Sequence, residues 1–401
     1  MKLKLQVQLS AMMFLQFFVW GAWFVTTGTY LMQTLKFSGT EIGLVYGAPA
    51  LAAIISPFFV GLLADRFFSA EKLLGLLHLA GGMVLLLVAQ IQSFYWFYPA
   101  ILFYTLLFSP TFSLSSALCF HNLKNAQKDF PKIRVWGTIG WIVIGLIIGY
   151  LEVEPTVIPL QIAAGSSFFM GLYCFTLPRT PPLSRASRFR LSDLLGAETL
   201  ALLKNRSFLV LMVSLTLITL PSSFYYSFVN PFMNELGIKN AAGKMSIGQM
   251  SEIFFIMILP FCFRKISLKQ IILLGMLAWS VRYFLFAYGD GGSWVGLIYV
   301  GLLLHGMSYT FTFLAGQIYV DEQVPATIRN AAQGFVTFIT MGLGPFIGAI
   351  IAGGIVNYFE YPNELHNWKG IWFFPAFFGA ASAVFFLLFF HPRRPDMRQK
   401  Q

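Results

Sequence analysis

LAAIISPFFVGLLADRFFSAEKLLGLLHLAGGMVLLLVA, residues 51–89, holds two apolar runs parted by a short stretch that carries Asp65, Arg66, Glu71 and Lys72. A helix that spans a bilayer needs about 20 consecutive apolar residues. The first run reaches back to residue 42 and the second on to residue 92, so spans over 42–63 and 73–92 are expected. Backbone groups in lipid must be satisfied within their own helix. The pair therefore reads as a helical hairpin that crosses a membrane and returns.

The same reading gives further spans near 9–33, 96–119, 134–151, 157–177, 208–229, 245–263, 270–288, 294–318, 330–355 and 371–391. Apolar residues make up 57% of the 401 positions and charged residues 11%, where a soluble domain carries about 25% charge. Mean hydropathy is +0.71. Twelve spans leave no room for a separate soluble domain, so any function is built inside the helices. The net charge of +11 is not gathered on one exposed face, as a nucleic-acid partner would require. Cys119, Cys174 and Cys262 lie in or beside apolar runs without metal-ligand or disulfide spacing and read as packing residues. The first 25 residues have a basic end and an apolar run but no small-residue cleavage site, and read as a retained first span.

With the N-terminus in the cytoplasm, all but five of the 27 Lys and Arg residues fall at or near the inner side. The five are Lys36, Lys239, Lys244, Arg282 and Lys369, while the outer connections carry Glu41, Glu152, Glu154, Glu235, Asp290, Glu360 and Glu364. The positive-inside rule then predicts an even number of spans with both termini cytoplasmic. The longest connection, rich in Pro, Ser and Arg, parts the spans six and six. The expected organisation is an all-α integral membrane protein with a first six-helix bundle over 1–178, a cytoplasmic linker over 179–207 and a second bundle over 208–401. Two bundles rocking about a midplane site would use such a division.

GLLADRFFSAEK, residues 61–72, resembles the loop signature of the major facilitator superfamily, with Asp65 and Arg66 at the matching positions and the later Gly-Arg-Arg part degenerate. QFFVWGAWFVTTGTYL (16–31), DFPKIRVWGTIGWI (129–142), MSIGQMSEIFF (245–255) and VDEQVPATIRNAAQG (320–334) together resemble the bacterial nucleoside:proton symporter family over nearly the whole chain. The resemblance implies a carrier of the inner membrane, not an enzyme. It would move a nucleoside by alternating access with a proton as the coupling ion, use no cofactor, and act as a monomer in the bilayer. An uncoupled facilitator, or a carrier for another small polar solute such as a sugar, is the alternative.

An ionisable group inside a span is costly unless paired or hydrated, which makes it a functional candidate. Glu252 is the acidic residue plainly within an apolar run, and Gln249 three positions earlier shares its helix face. A buried polar bridge to a neighbouring helix would use the same pair. Arg134, Thr138 and Trp141, at spacings of four and three, put a cation, a hydroxyl and an aromatic ring on one stripe. The stripe suits the carbonyls, ribose hydroxyls and flat base of a nucleoside. Arg134 also lies close enough to the cytoplasmic end to snorkel there. The family's binding residues match Gln249, Glu252, Arg134, Thr138 and Trp141.

PSSFYYSFVN, residues 221–230, places Ser223, Tyr226 and Asn230 on one face, where ordinary packing is an equal reading. The family has amides at the positions matching Ser223 and Tyr226. Its aromatic site residues match His305 and Tyr309 in HGMSYTFTF. Thr310 stands where the family carries an aspartate, and threonine cannot titrate. Proton coupling would then fall to Glu252 or His305. Asp65, Arg66 and Arg329 are candidates for gating ion pairs, with Arg282 as an outer-side counterpart, and solvated loop charge is the alternative. GLGPFIGAIIAGG, residues 342–354, favours close helix approach. The five histidines, scattered without ligand spacing, hold no metal set.

Overall fold

The computed structural model describes residues 3–63, 69–181, 201–324, 328–362 and 365–391. In chain order its long helices are α1 (Leu3–Thr34), α2 (Gly39–Leu63), α3 (Ala70–Val88), α4 (Phe94–Asn122), α5 (Ala126–Leu151), α6 (Ile158–Cys174), α7 (Arg206–Glu235), α8 (Ala241–Lys265), α9 (Leu268–Tyr288), α10 (Val295–Gln323), α11 (Arg329–Tyr358) and α12 (Trp368–Phe389). Eleven of these are long and apolar enough to cross a membrane, and α6 is a shorter apolar helix. The expected spans are present with shifted ends. The largest shift is α5, which begins at Ala126 rather than near 134. Lys128, Asp129 and Lys132 break the apolar run, yet Asn125 caps the helix by accepting the Lys128 N–H at 3.1 Å. Helix α5 stops where Glu152 turns left-handed, at φ 53°.

Large apolar side chains stand exposed along the helices: Tyr150, Met257, Leu172 and Phe377 are each more than half accessible. A surface this apolar belongs in lipid. Among the described residues three helices carry a π segment, at Tyr30–Thr34 in α1, Thr310–Leu314 in α10 and Phe338–Leu343 in α11. Such segments reset the register of the side chains beyond them.

The Cα framework divides into two compact units, residues 1–189 with 226–246, and residues 190–225 with 247–401. In the first unit α1 packs on α5 and α6, α3 on α4 and α6, and α2 on α4. Leu9, Met12, Leu73, Leu118, Ile133 and Met170 form one of its cores. A polar chain crosses the same unit: Gln16 Nε2 donates to Thr111 Oγ1 at 2.7 Å, and Gln16 Oε1 lies 2.9 Å from His78 Nε2. The α7–α8 turn completes the unit. Asn230 of α7 accepts from the Thr29 hydroxyl, and Gly149 of α5 lies flush against Asn240 and Gly243, where no Cβ would fit.

In the second unit α9 packs on α10 and α12. Helix α9 starts in a capping box, Ser267 with Gln270. Residues 342–354 do bring helices close: Gly348 of α11 lies against Leu220 and Ser223 of α7.

Candidate functional site

In the first unit α5 brings Arg134, Thr138 and Trp141 to one face, as their spacing requires. Arg134 and Thr138 are half-buried and Trp141 is 9% exposed. The Arg134 guanidinium lies over the Phe17 ring at 4.1 Å. Phe17 is the first of three α1 rings, with Trp20 and Phe24, at spacings of three and four. The Trp20 ring meets Trp141 edge-on at 4.8 Å and Phe112 of α4 at the same distance. Phe24 meets Tyr226 of α7 at 6.0 Å. The result is an aromatic wall with one cation and one hydroxyl beside it. It offers stacking faces and donors, the complement of a flat heterocycle bearing carbonyls. Residues 17, 20 and 24 fall within 16–31, and their helical spacing was the available signal.

Asn230 stands apart from that wall. It is fully buried, and its Oδ1 accepts from the Thr29 hydroxyl at 2.5 Å and from Asn234 Nδ2 at 3.3 Å. Its Nδ2 points to Met245 Sδ at 3.7 Å. The carboxamide is committed to the protein.

In the second unit the half-buried Gln249 and Glu252 lie on one face of α8. Helix α8 crosses α10 at small residues, where Ser251 Oγ accepts the Gly306 N–H at 2.9 Å. A Cβ on Gly306 would strike the backbone of Ser251 and Glu252, so only glycine permits this approach. The crossing sets Glu252 beside the His305–Tyr309 stretch. His305 and Thr310 are sealed from solvent while Tyr309 is half-buried, and the His305 and Tyr309 rings are stacked at 6.0 Å. Ser223 is buried and donates to the Thr219 carbonyl at 3.0 Å.

Several buried polar atoms of this unit have no hydrogen-bond partner among the described residues: Gln249 Oε1, Arg282 Nε and Nη2, Thr310 Oγ1 and Thr312 Oγ1. Each such atom costs about 1–3 kcal/mol, more for a charged group. Arg282 is fully buried on α9 and bonded to His305, with Nη1 3.0 Å from Nδ1. The guanidinium, expected as an outer-side gating charge, is engaged with His305 inside the second unit. Its position on a long apolar helix was visible in the sequence, but its aromatic surroundings were not.

Of the gating candidates, Arg329 pairs with Asp321 at 3.3 Å with both side chains about half exposed. Asp65 and Arg66 lie outside the described residues. Among the described residues no group of three or more His, Cys, Asp and Glu side chains is placed to hold a metal ion.

Twelve apolar helices with a sparse set of polar groups sunk among them define a membrane carrier. The family model described as "Nucleoside H+ symporter" matches residues 1–395, and the chain belongs to that family. It is 41% identical to the Escherichia coli protein YegT, itself named only provisionally as a nucleoside transporter, over 97% of this chain and 94% of that one. Identity to the Escherichia coli xanthosine permease is 31%, over 97% of this chain and 96% of that one. Identity to the Escherichia coli nucleoside permease NupG is 30%, over 99% of both chains. The crystal structure of NupG superposes with a TM-score of 0.90 at 29% identity, covering 98% of this chain and 100% of that one. The protein is a transporter of the bacterial inner membrane with many spans, and not an enzyme.

Proposed function

We propose that the protein carries nucleosides across the inner membrane together with a proton, by alternating access. The observation that supports this most directly is the pairing of Gln249 and Glu252 on a half-buried face of α8, with an acceptor on Gln249 that has no partner among the described residues. A carboxylate accepts two ribose hydroxyls and an amide both donates and accepts. Arg134 and Thr138 supply donors for base carbonyls, and Trp141, Tyr226 and Tyr309 supply aromatic faces. These residues are the proposed nucleoside contacts. Asn230, Ser223, His305 and Thr310, sealed from solvent, hold the others in place.

The functional halves are 1–178 and 208–401, joined by the 179–207 linker, with both termini cytoplasmic. The chain works as a monomer in the bilayer, without a cofactor. Arg329 with Asp321, and Asp65 with Arg66, contribute to gating at the cytoplasmic ends. Glu252 takes up the proton that crosses with the substrate. The uncoupled alternative has one observation in its favour, the threonine at position 310 in a fully buried place.

The test is uptake of labelled uridine, adenosine and xanthosine in cells stripped of their own nucleoside permeases. Saturable accumulation that collapses with the pH gradient is expected. Equilibration alone, with or without a gradient, would establish facilitation, and uptake of sugars but not nucleosides would overturn the substrate class.

A further inference from the structure

Arg282 carries a full charge on α9 with none of its surface exposed. Aromatic rings surround it: its guanidinium carbon lies 3.9 Å from the centre of the Tyr225 ring, 5.0 Å from Trp279, 5.8 Å from Tyr283 and 5.6 Å from Phe286. Ring faces stabilise a desolvated cation. A directional contact is made to His305, where Arg282 Nη1 stands 3.0 Å from Nδ1.

That contact determines the state of the imidazole. A guanidinium has five N–H donors and no acceptor, and it stays protonated. Nδ1 must therefore be the bare nitrogen, and the ring hydrogen sits on Nε2. A second proton would have to enter at Nδ1, pointing at the guanidinium N–H and setting cation against cation.

The ring so fixed is also wedged. It stacks on Tyr225 at 4.6 Å and 19°, on Tyr309 at 6.0 Å, and meets the edge of Trp279 at 6.1 Å. Above it runs α8. A Cβ built on Gly248 would lie 3.1 Å from both His305 Cβ and the Tyr225 hydroxyl. Gly248 directly precedes Gln249, and the next turn of α8 is tied down at Ser251 and Gly306. The charged and titratable groups around the imidazole are Arg282 and Tyr283 from α9, Tyr225 from α7, Tyr309 from α10 itself, and Glu252 from α8, whose backbone lies against Gly306.

The geometry points to Arg282 and His305 as a positioning pair: Arg282 holds His305 as a neutral Nε2–H imidazole, and the fixed ring seats the turn of α8 that bears Gln249 and Glu252. His305 is then no carrier of the transported proton, and Glu252 alone of the two candidates has that role. The consequence for coupling rests on the transport reading; the tautomer does not.

Two arms test it. Nitrogen-15 NMR of histidine-labelled full-length protein in nanodiscs, at about pH 7.5, reads the tautomer without substrate, and the His305→Gln spectrum identifies the His305 signals among the five histidines. A neutral Nε2–H pattern is expected in the wild type and its loss in Arg282→Met. An Nδ1–H tautomer or an imidazolium in the wild type would overturn the proposal, whatever the variants do. In the second arm nucleoside uptake is followed against pH. His305→Gln, whose carboxamide keeps one acceptor and one donor, is expected to raise KM several-fold without moving the midpoint of the pH profile, and His305→Ala to raise it further. Arg282→Lys is expected to recover part of what Arg282→Met loses. A flattened pH profile in His305→Gln would make His305 the proton carrier and sink the assignment. If no nucleoside is transported at all, the functional reading fails while the NMR arm still decides the pair.

Discussion

The carboxylate of Glu154 accepts the backbone N–H of Ala242 at 2.8 Å, binding the α5–α6 connection to the first turn of α8 within the first unit. The side chain is 2% exposed. A negative group at a helix N-terminus satisfies an orphan donor and meets the positive end of the helix dipole.

Burial raises the Glu154 carboxyl above its ordinary value, Glu152 nearby adds to the rise, and the N–H groups of Ala242 and Ala241 offset part of it. The buried arrangement thus holds the proton more tightly than an exposed carboxyl does. As pH falls through the raised value toward the ordinary one, the closed contact takes up a proton that the open form does not, and closure is strengthened. Above the raised value the cost of the buried charge is carried in full. Hydrogen exchange of residues 236–246, corrected for the intrinsic rate, is expected to slow as pH falls from neutrality through the raised value toward the ordinary one. Glu154→Gln, which keeps the acceptor oxygen and never ionises, should be slow throughout that range. Faster exchange in acid would refute the assignment.

Substitutions at the two proposed contact faces should separate from those at sealed positions. Glu252→Gln and Arg134→Ala are expected to cut nucleoside uptake at least about 10-fold at unchanged membrane abundance, a loss of about 1.4 kcal/mol or more. Asn230→Ala removes a fully committed amide and leaves the Thr29 hydroxyl unpaired, at about 1–3 kcal/mol of stability. Its effect should appear in the melting temperature of purified protein rather than in KM. A large KM change at unaltered melting temperature would place Asn230 on the substrate.

The helices were legible because apolar runs of spanning length are interrupted by charge, and in most of them charge also marks the ends. Helix α5 shows where that rule fails: Lys128, Asp129 and Lys132 belong to its first two turns, which the Asn125 cap begins. The stripe of Arg134, Thr138 and Trp141 could be read from spacing because three residues on one helix need only its periodicity. Arg282 could not. Its meaning depends on Tyr225 and His305, 57 and 23 positions away along the chain, as numbered in the sequence. The commitment of Asn230 to Thr29 likewise joins residues 201 positions apart, and no local pattern encodes such a pairing.

The α8–α10 crossing offers a test of packing. Gly306→Val would drive a branched side chain into the Ser251–Glu252 backbone, and overpacking costs about 1–3 kcal/mol. Gly354, on the same scale of helix but with nothing within 4 Å of its would-be Cβ, is a control. Gly354→Ala should be neutral or stabilising by up to about 1 kcal/mol through helix propensity. Thermal unfolding in a mild detergent reads both. Equal melting temperatures for the two variants would contradict the close approach.

Thr310 opens the π segment of α10 and is fully buried, with no partner for its hydroxyl among the described residues. A carboxyl placed there would share the second unit with Glu252 and with the fixed cation Arg282. Buried ionisable groups that interact titrate as a coupled set. Thr310→Asp is therefore expected to change the pH profile of uptake from one ionisation to two, and to make accumulation depend more steeply on the pH gradient. Maximal uptake is compared at equal abundance, because a buried carboxyl also lowers stability. The decisive comparison is the double variant Thr310→Asp with Glu252→Gln. If it regains gradient-driven accumulation that Glu252→Gln alone has lost, position 310 faces the same proton path as Glu252. If the pH profile of Thr310→Asp matches the wild type, the two positions are not coupled and the proton path bypasses the π segment.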